Sequence, residues 1–173
     1  FERVKAGTVE LTLVAGYSGT GKSVLVNETH RPLTATRGYF VEGKFDQFQR
    51  NIPFFAWIQA FKNFVDLLLT ENEEILNYWS SLILEAVGDN GGVLTEVIPN
   101  LELVIGVQPE VTQLGGQEAQ NRFNYVMQNF VKAITTKEHP LIIFIDDLQW
   151  ADLSSLELLK TLTTDKENGY LLC

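Results

Sequence analysis

The segment GYSGTGKS, residues 16–23, constrains the fold of this chain more than any other part of the sequence. It fits the pattern G-x-x-x-x-G-K-[ST], whose glycines let the backbone curl until its N–H groups converge on a phosphate. Such a loop follows a strand and opens a helix, because the helix N-terminus adds its dipole to anion binding. The segment therefore predicts a phosphate-binding loop within an α/β fold.

Two side chains of this loop are expected to contact the bound group directly. Lys22 is expected to reach the β- and γ-phosphates, and the Ser23 hydroxyl to ligate Mg²⁺, which prefers hard oxygen ligands. The candidate nucleotide-binding residues are Gly16, Ser18, Gly19, Thr20, Gly21, Lys22 and Ser23. The alternative, a flexible glycine turn before a surface lysine, is disfavoured because the pattern rarely arises by chance in 173 residues.

A second motif, LIIFIDD at 141–147, ends an apolar run with two acids. A short apolar run after Pro140 is typical of a buried parallel strand. Open α/β sheets bind ligands at the carboxyl ends of their strands, so we expect Asp146 near the phosphate loop, holding the water shell of Mg²⁺. Asp147 is expected to orient and deprotonate the attacking water. Alone, the pair Asp146 and Asp147, called the acid doublet below, would indicate a solvated strand end. Because the phosphate loop lies upstream, a functional role is the preferred interpretation.

The hydrophobic pattern around these motifs alternates between strand and helix spacing. Strands are predicted at 8–15, 38–45 and 141–145, with another beginning at 169–173. Helices are predicted over 22–29, before Pro32, and from Pro53, over 73–87, from Gly116 to about 136, and over 153–162 after a cap at Asp152. The glycine-containing segments 88–92 and 106–116 are interpreted as surface connections. This alternation predicts a doubly wound α/β sheet with a helical insertion between strands 2 and 3.

Composition narrows the classes of partner. Thirteen Lys and Arg against 22 Asp and Glu give a net charge of −9, which opposes the phosphate attraction that drives nucleic-acid binding. No apolar stretch approaches the roughly 20 residues of a bilayer span, and FERVKAGTVE has no signal-peptide core. One cysteine, Cys173, excludes an internal disulfide and agrees with a reducing compartment. The sequence therefore favours a cytoplasmic chain without nucleic-acid partners or membrane insertion.

Several further residues lie near the two motifs in the sequence. Lys44 and Arg50 could face the nucleotide, although a solvated surface role is the more expected one, as it is for Arg122. Tyr17 and Trp150 flank the motifs, and either could serve packing alone.

Four stretches carry a resemblance to a known family: GYSGTGKSVLVNE at 16–28, GYFVEGKFDQFQRNIPF at 38–54, EAQNRFNYVMQNF at 118–130 and HPLIIFIDDLQWAD at 139–152. They closely resemble the AAA-type ATPase domain of large multi-sensor signalling kinases. In those proteins a Ser/Thr-kinase-like region, this ATPase, GAF sensor modules and a histidine kinase share one chain. The phosphate loop and DDLQWAD also resemble the motifs of the STAND class of signal-transduction ATPases.

The resemblance implies a P-loop NTPase with sheet order 5-1-4-3-2, ATP and Mg²⁺ as cofactors, and a nucleotide-gated regulatory role. Its partners would be the neighbouring kinase and sensor domains of the same chain, and a nucleotide-dependent oligomer is compatible with it. By the same comparison, residues 1–173 would be one domain truncated at both ends, without the adenine-side segment, the sensor strand and the lid. We expect such an excerpt to have weakened stability.

The resemblance also bears on the rate of hydrolysis. Asp147 occupies the position where many members of the wider P-loop class carry Glu, and the shorter carboxylate predicts a slow switch. Three functions remain open: a slowly hydrolysing regulatory ATPase, a nucleotide-dependent scaffold without hydrolysis, and a small-molecule kinase that would need a lid rich in arginines. A GTPase is disfavoured because no N-K-x-D guanine reader is present.

Overall fold

A four-stranded parallel sheet is formed by the part of the chain that the structure describes. The structure is a computed structural model, and it describes residues 2–17, 21, 26 and 38–173. The strands are β1 (Val9–Glu10), β2 (Tyr39–Lys44), β3 (Leu141–Asp146) and β4 (Leu171–Leu172), in the order β1-β4-β3-β2. This order is the 1-4-3-2 portion of the predicted 5-1-4-3-2 arrangement. The prediction of a parallel α/β sheet is confirmed.

Helices flank the sheet and fill the connection between β2 and β3. α1 spans Glu2–Lys5, before β1. The insertion contains α2 (Phe55–Leu68), α3 (Glu73–Val87), α4 (Gly91–Val97), α5 (Glu102–Ile105) and α6 (Gly116–Ile134). α7 (Leu153–Thr164) connects β3 to β4, and short 3-10 turns cover Gly88–Asn90, Pro99–Leu101 and Leu148–Trp150. The predicted helical insertion between strands 2 and 3 is therefore confirmed.

The longest ladder of the sheet joins β2 to β3. The two strands pair in parallel from Tyr39 opposite Leu141 to Lys44 opposite Asp146. Val41 and Gly43 are buried, whereas Glu42 and Lys44 are exposed, so the side chains alternate between core and solvent as they do in a half-buried strand. This register places Lys44 of β2 beside Asp146, the first acid of the doublet.

Aromatic side chains of the insertion form the core on one face of the sheet. The ring centroids of Tyr39 and Phe64 lie 5.2 Å apart, those of Phe64 and Trp79 5.9 Å, and those of Phe61 and Phe130 5.3 Å, all in edge-to-face geometry. Phe61, Phe64, Trp79 and Phe130 are fully buried. Edge-to-face pairs stabilise a core beyond the area that they bury. The aromatic residues on the predicted helices are thus packing residues.

The outer edge of β2 is closed by side chains of α2. The backbone N–H of Lys44 donates to Gln59 Oε1 at 2.7 Å, and Asn63 Nδ2 donates to the backbone carbonyl of Glu42 at 2.9 Å. These two bonds occupy backbone groups that another strand could otherwise pair with. The end of β2 is therefore fixed on one side by β3 and on the other by α2.

The first strand is shorter than predicted. β1 covers Val9–Glu10, and its ladder with β4 ends where the N–H of Thr12 donates to the carbonyl of Cys173, the last residue of the sequence. Residues 11–17 carry no strand structure. Leu13 is 69% exposed, and the predicted strand at 8–15 is wrong beyond Glu10.

The segment 88–92 is not a plain surface connection as predicted. Gly91 begins α4, and both Gly91 and Gly92 are buried. A Cβ on Gly91 would collide with the Gln108 amide, and one on Gly92 would lie 2.6 Å from the Pro109 carbonyl oxygen. The glycines at these positions permit close approach of the following loop, and the sequence pattern of a turn does not distinguish that role.

None of the helices in the described part of the chain has the length and apolarity that a bilayer span requires.

Replacing Gly43 by alanine is expected to destabilise the fold. The new Cβ would overlap the backbone carbonyl of Ala56, and backbone cannot rotate away as a side chain can. Overpacking of this kind costs about 1–3 kcal/mol. Gly115→Ala is the matched control, because at φ −112° its Cβ would have no neighbour within 4 Å. Urea denaturation of both variants measures the difference; a midpoint for Gly43→Ala at or above that of Gly115→Ala would contradict the close packing of α2 on β2.

Candidate active site at the carboxyl edge of the sheet

The two acids of the doublet lie at the carboxyl end of β3 and turn in different directions. β3 ends at Asp146, and Asp147 adopts the left-handed conformation with φ 56° and ψ 44°, which Asp tolerates better than most residues. The N–H of Asp147 donates to Asp146 Oδ1 at 2.8 Å. Their side chains are 39% and 33% exposed, so both carboxylates are accessible.

Lys44 lies against both carboxylates. Its Nζ is 3.2 Å from Asp147 Oδ2 and 3.7 Å from Asp146 Oδ2. The hydrogen bond to Asp147, together with the negative charge of both acids, raises the pKa of Lys44 above its usual value. A raised lysine pKa means that the ammonium persists through the neutral range and is lost only as the pH rises through the raised pKa. At neutral pH the Lys44 ammonium therefore faces both acids.

The other oxygen of Asp147 is held by Gln149. Gln149 Nε2 donates to Asp147 Oδ1 at 2.8 Å, within the 3-10 turn Leu148–Trp150. The turn itself is closed by the N–H of Trp150, which donates to the Asp147 carbonyl at 2.9 Å. The two carboxylate oxygens of Asp147 thus have different partners, an amide on one side and an ammonium on the other.

Asp152 ties this turn to the helical insertion. As the N-cap of α7 it accepts from the Ser155 N–H at 2.9 Å, which confirms the predicted cap. Its Oδ2 also accepts from the Ser155 hydroxyl at 2.6 Å and from the Phe54 N–H at 3.2 Å, just before α2 begins. Trp57 Nε1 donates to the Ser155 carbonyl at 3.2 Å and forms a second link. The segment after the doublet is therefore attached to the start of α2.

Arg50 contacts the same turn from outside. Its guanidinium carbon lies 4.4 Å from the centroid of the Trp150 ring, a cation–π distance, and Nη2 donates to the Gln149 carbonyl at 3.3 Å. Arg122 is elsewhere, donating to the Thr112 carbonyl at 2.7 Å. Of the basic residues considered from the sequence, Lys44 reaches the doublet itself, and Arg50 reaches it through Gln149.

Only part of the phosphate loop falls within the described residues. Gly16 and Tyr17 follow β1, and Gly21 has a φ of 84°, in the region that favours glycine. Ser18, Gly19, Thr20, Lys22 and Ser23 lie outside the described residues. β1 pairs in parallel with β4, and β4 with β3, so the chain after β1 leaves the sheet at the edge where Asp146 lies. The described part of the loop therefore begins at the edge that carries the doublet.

An open pocket of about 530 Å³ lies beside the doublet. Glu42, Lys44, Phe144 and Asp146 line it from β2 and β3. Its walls also include Val26, Gly43, Gln59 and Asn63. Charged and amide groups thus surround open space at the end of the sheet, next to the Asp146 carboxylate.

The donor chemistry at Asp146 fits a magnesium ion. Carboxylate oxygen is the ligand that Mg²⁺ prefers, and Mg²⁺ is usually held by one or two carboxylates together with substrate phosphates. Asp146 Oδ1 already accepts from a backbone N–H, whereas Oδ2 faces Lys44 across 3.7 Å. Within 2–17, 21, 26 and 38–173 no cluster of three or more metal-ligating side chains is present. Asp146 could therefore contribute one carboxylate oxygen to an ion that is shared with a nucleotide.

A parallel α/β sheet with an acid doublet at its carboxyl edge is compatible with a P-loop NTPase, the class to which AAA ATPase domains belong. Within that class the chain belongs to the AAA ATPase domain family, whose model matches residues 1–173. The resemblance of the four sequence stretches to an AAA-type ATPase domain is thereby confirmed.

Two curated relatives are signalling kinases. The chain is 38% identical over 161 residues to "Hybrid signal transduction histidine kinase G" of Dictyostelium discoideum, covering 93% of this chain and 5% of that protein. It is 22% identical over 167 residues to "Histidine protein kinase 1" of Candida albicans, covering 87% of this chain and 7% of that protein. The chain thus spans a small fraction of the relatives it matches. No solved structure matches the chain.

Sequence reasoning identified the doublet but missed most of its partners. Gln149 and Asp152 stand in the quoted stretch DDLQWAD, yet only the cap role of Asp152 was assigned. A glutamine two residues after an acid at a strand end is a usable signal, because a turn brings such side chains together. The contact of Lys44 with the doublet depends on the β2–β3 register, which no local pattern reveals.

Removing the Asp152 carboxylate is expected to destabilise the chain by about 1–3 kcal/mol, because it leaves the N–H groups of Ser155 and Phe54 without their acceptors. Asp152→Asn should cost less than Asp152→Ala, because it keeps an oxygen for the helix cap. The matched control is Asn72→Ala, which removes an N-cap that accepts from the Ile75 N–H. Thermal melting ranks the variants; an Asp152→Ala midpoint at or above that of Asn72→Ala would refute the link to α2.

Proposed function

We propose that this chain is an ATP- and Mg²⁺-binding regulatory ATPase domain of a signalling kinase, with slow hydrolysis. Membership of the AAA ATPase domain family and similarity to two histidine kinases support this proposal. Its partners would be the kinase and sensor domains of the same polypeptide, and its assembly could depend on nucleotide. A cytoplasmic location remains a prediction from composition.

One observation carries the proposal: the acid doublet lies at the sheet edge toward which the chain leads after β1. Parallel strands expose their carboxyl ends at a common edge, and that edge is where α/β sheets bind ligands. The doublet is accessible there and lies beside an open pocket. A phosphate loop that starts at Gly16 would bring a bound triphosphate to the same edge.

The proposed roles follow the chemistry of each group. Lys22 and the backbone N–H groups of residues 18–23 would hold the phosphates, while Ser23 and Asp146 would hold Mg²⁺. A bound Mg²⁺ would neutralise charge that develops on the phosphate oxygens. Asp147 would accept a proton from the attacking water through Oδ2 once Lys44 moves aside, because Gln149 holds Oδ1.

Two substitutions separate binding from hydrolysis. Lys22→Ala is expected to abolish ATP binding, because it removes the charge expected at the β- and γ-phosphates. Asp147→Asn is expected to leave the dissociation constant within about twofold while lowering turnover by about 100-fold or more, because the amide cannot take the proton. Nucleotide titration and phosphate release measure the two effects on the purified chain.

Matched controls for these variants lie on the exposed surface. Lys137→Ala and Asp89→Asn make the same chemical changes away from the doublet and should behave like the wild type. Normal hydrolysis by Asp147→Asn would show that another group acts as the base. Unchanged ATP binding by Lys22→Ala would remove the assignment of the phosphate loop.

A second function, a nucleotide-dependent scaffold without hydrolysis, is favoured by one observation. Both oxygens of Asp147 have partners, Gln149 on Oδ1 and Lys44 on Oδ2, so an attacking water would have to compete with them for the carboxylate. Nucleotide would then select a conformation that neighbouring domains detect. The contact of Lys44 with both acids is open to solvent and exchangeable, and for this reason we place the ATPase first.

Single-turnover phosphate release distinguishes the two functions. The experiment uses enzyme in excess over radiolabelled ATP, with Mg²⁺ present. Under these conditions the ATPase proposal expects phosphate to appear slowly but to completion. The rate should fall in Asp147→Asn and not in Asp89→Asn. Bound ATP recovered intact after many hours would support the scaffold instead.

A small-molecule kinase has less support. That function would need arginines free to clamp a phosphoryl acceptor, whereas Arg50 lies on Trp150 and Arg122 bonds the Thr112 carbonyl. Arg31 and Arg37 lie outside the described residues.

A further inference from the structure

The two oxygens of the Asp147 carboxylate are held by groups of different chemistry. The Lys44 ammonium lies 3.2 Å from Oδ2 on a side chain that is 62% exposed. Gln149 contacts Oδ1 by a hydrogen bond of 2.8 Å between neighbours in one short turn. An amide donor fixes the direction of the carboxylate, because its N–H must point at the acceptor oxygen. It does so without changing the net charge of the site. Gln149 can therefore orient the carboxylate whether or not Lys44 contacts it.

Gln149 itself is held by Arg50, which lies 99 residues earlier in the sequence. The guanidinium donates to the Gln149 carbonyl at 3.3 Å and lies over the neighbouring Trp150 ring at 4.4 Å. A planar guanidinium can make both contacts at once, one in its plane and one through its face. Arg50 therefore fixes the turn that carries the Gln149 side chain.

We propose that Gln149 is a positioning residue for Asp147, and that Arg50 acts on the same carboxylate through Gln149. This inference rests on the proposed ATPase function. The hydrogen bond on Oδ1 fixes the plane of the Asp147 carboxylate, and with it the direction in which Oδ2 faces. Arg50 stands just before α2, so the orientation of the carboxylate depends on where the insertion holds the loop after β2.

The first test replaces the amide with groups of similar size that donate no hydrogen bond. Gln149→Met and Gln149→Glu are expected to lower kcat for ATP hydrolysis by about 10- to 100-fold, as a misdirected base does, with KM and the ATP dissociation constant within about twofold. The Gln149→Glu carboxylate would also repel Asp147. Gln117→Met is the matched control, because Gln117 Nε2 likewise donates to a side-chain oxygen, Asn121 Oδ1 at 3.0 Å, on an exposed helix surface.

The second test asks whether Arg50 and Gln149 act on one group. Arg50→Lys keeps the charge but loses the planar donor, so it should lower kcat less than Gln149→Met does. The double variant should be no slower than Gln149→Met alone, because residues that act through one contact are not additive. If the role of Arg50 were purely structural, Arg50→Lys would lower the melting midpoint. Its effect on kcat would then multiply with that of Gln149→Met in the double variant.

The outcomes distinguish a failure of this inference from a failure of the proposed ATPase function. Wild-type chain that binds ATP but releases no phosphate would overturn both the ATPase proposal and this inference. Wild-type chain that hydrolyses ATP while Gln149→Met and Gln149→Glu keep kcat within twofold of Gln117→Met would overturn the inference alone. A rise in KM without a fall in kcat would also overturn it, because ground-state binding would then be the property affected.

Discussion

The parallel pairing of β2 with β3 is the constraint on which the site depends. Its register sets Lys44 opposite Asp146, and a shift of one residue would turn Lys44 toward α2 and Gly43 toward solvent. Two features hold that register: Gly43, where α2 approaches too closely for any side chain, and the bonds from Gln59 and Asn63 to the outer edge of β2. The ion contacts of the doublet are thus a consequence of how α2 packs on the strand.

The helical insertion is joined to the doublet by more than its chain connections. Asp152 accepts from the Phe54 N–H, the Trp57 indole donates to the Ser155 carbonyl, and Arg50 covers Trp150. These contacts all fall between the segment after the doublet and the first turn of α2 or the loop before it. The Phe54 ring in turn lies 4.3 Å from that of Phe123 on α6. A displacement of α2 or α6 must therefore move the turn that carries Gln149 or break these bonds, which gives a direct physical path between the insertion and the acids.

Much of the architecture could be predicted because it is encoded in local spacing. Apolar residues at helical intervals predicted the helix Glu73–Val87 to the residue, and the run after Pro140 predicted the buried strand that ends at the doublet. The length of β1 could not be predicted, since a strand persists only where a neighbouring strand pairs with it. Nor could the buried role of Gly91, because the loop that approaches it is distant in sequence. The doublet was visible as two acids in a row; its partners Lys44 and Arg50 depend on contacts across about 100 residues of intervening chain.

The contacts around the doublet differ in how readily they can exchange. An ion pair between exposed groups contributes little to folding, because water screens the charges and the lysine side chain loses freedom in forming it. Lys44 can therefore leave the two carboxylates without disturbing the sheet, and any cation that offers stronger contacts would replace it. Asp152 is different, since its oxygens accept hydrogen bonds from the backbone of two separate elements, and removing them leaves polar groups unpaired. The turn is thus anchored at Asp152 while the acids before it remain free to change partners. That division of roles suits a site that must bind and release a charged ligand on a fixed framework.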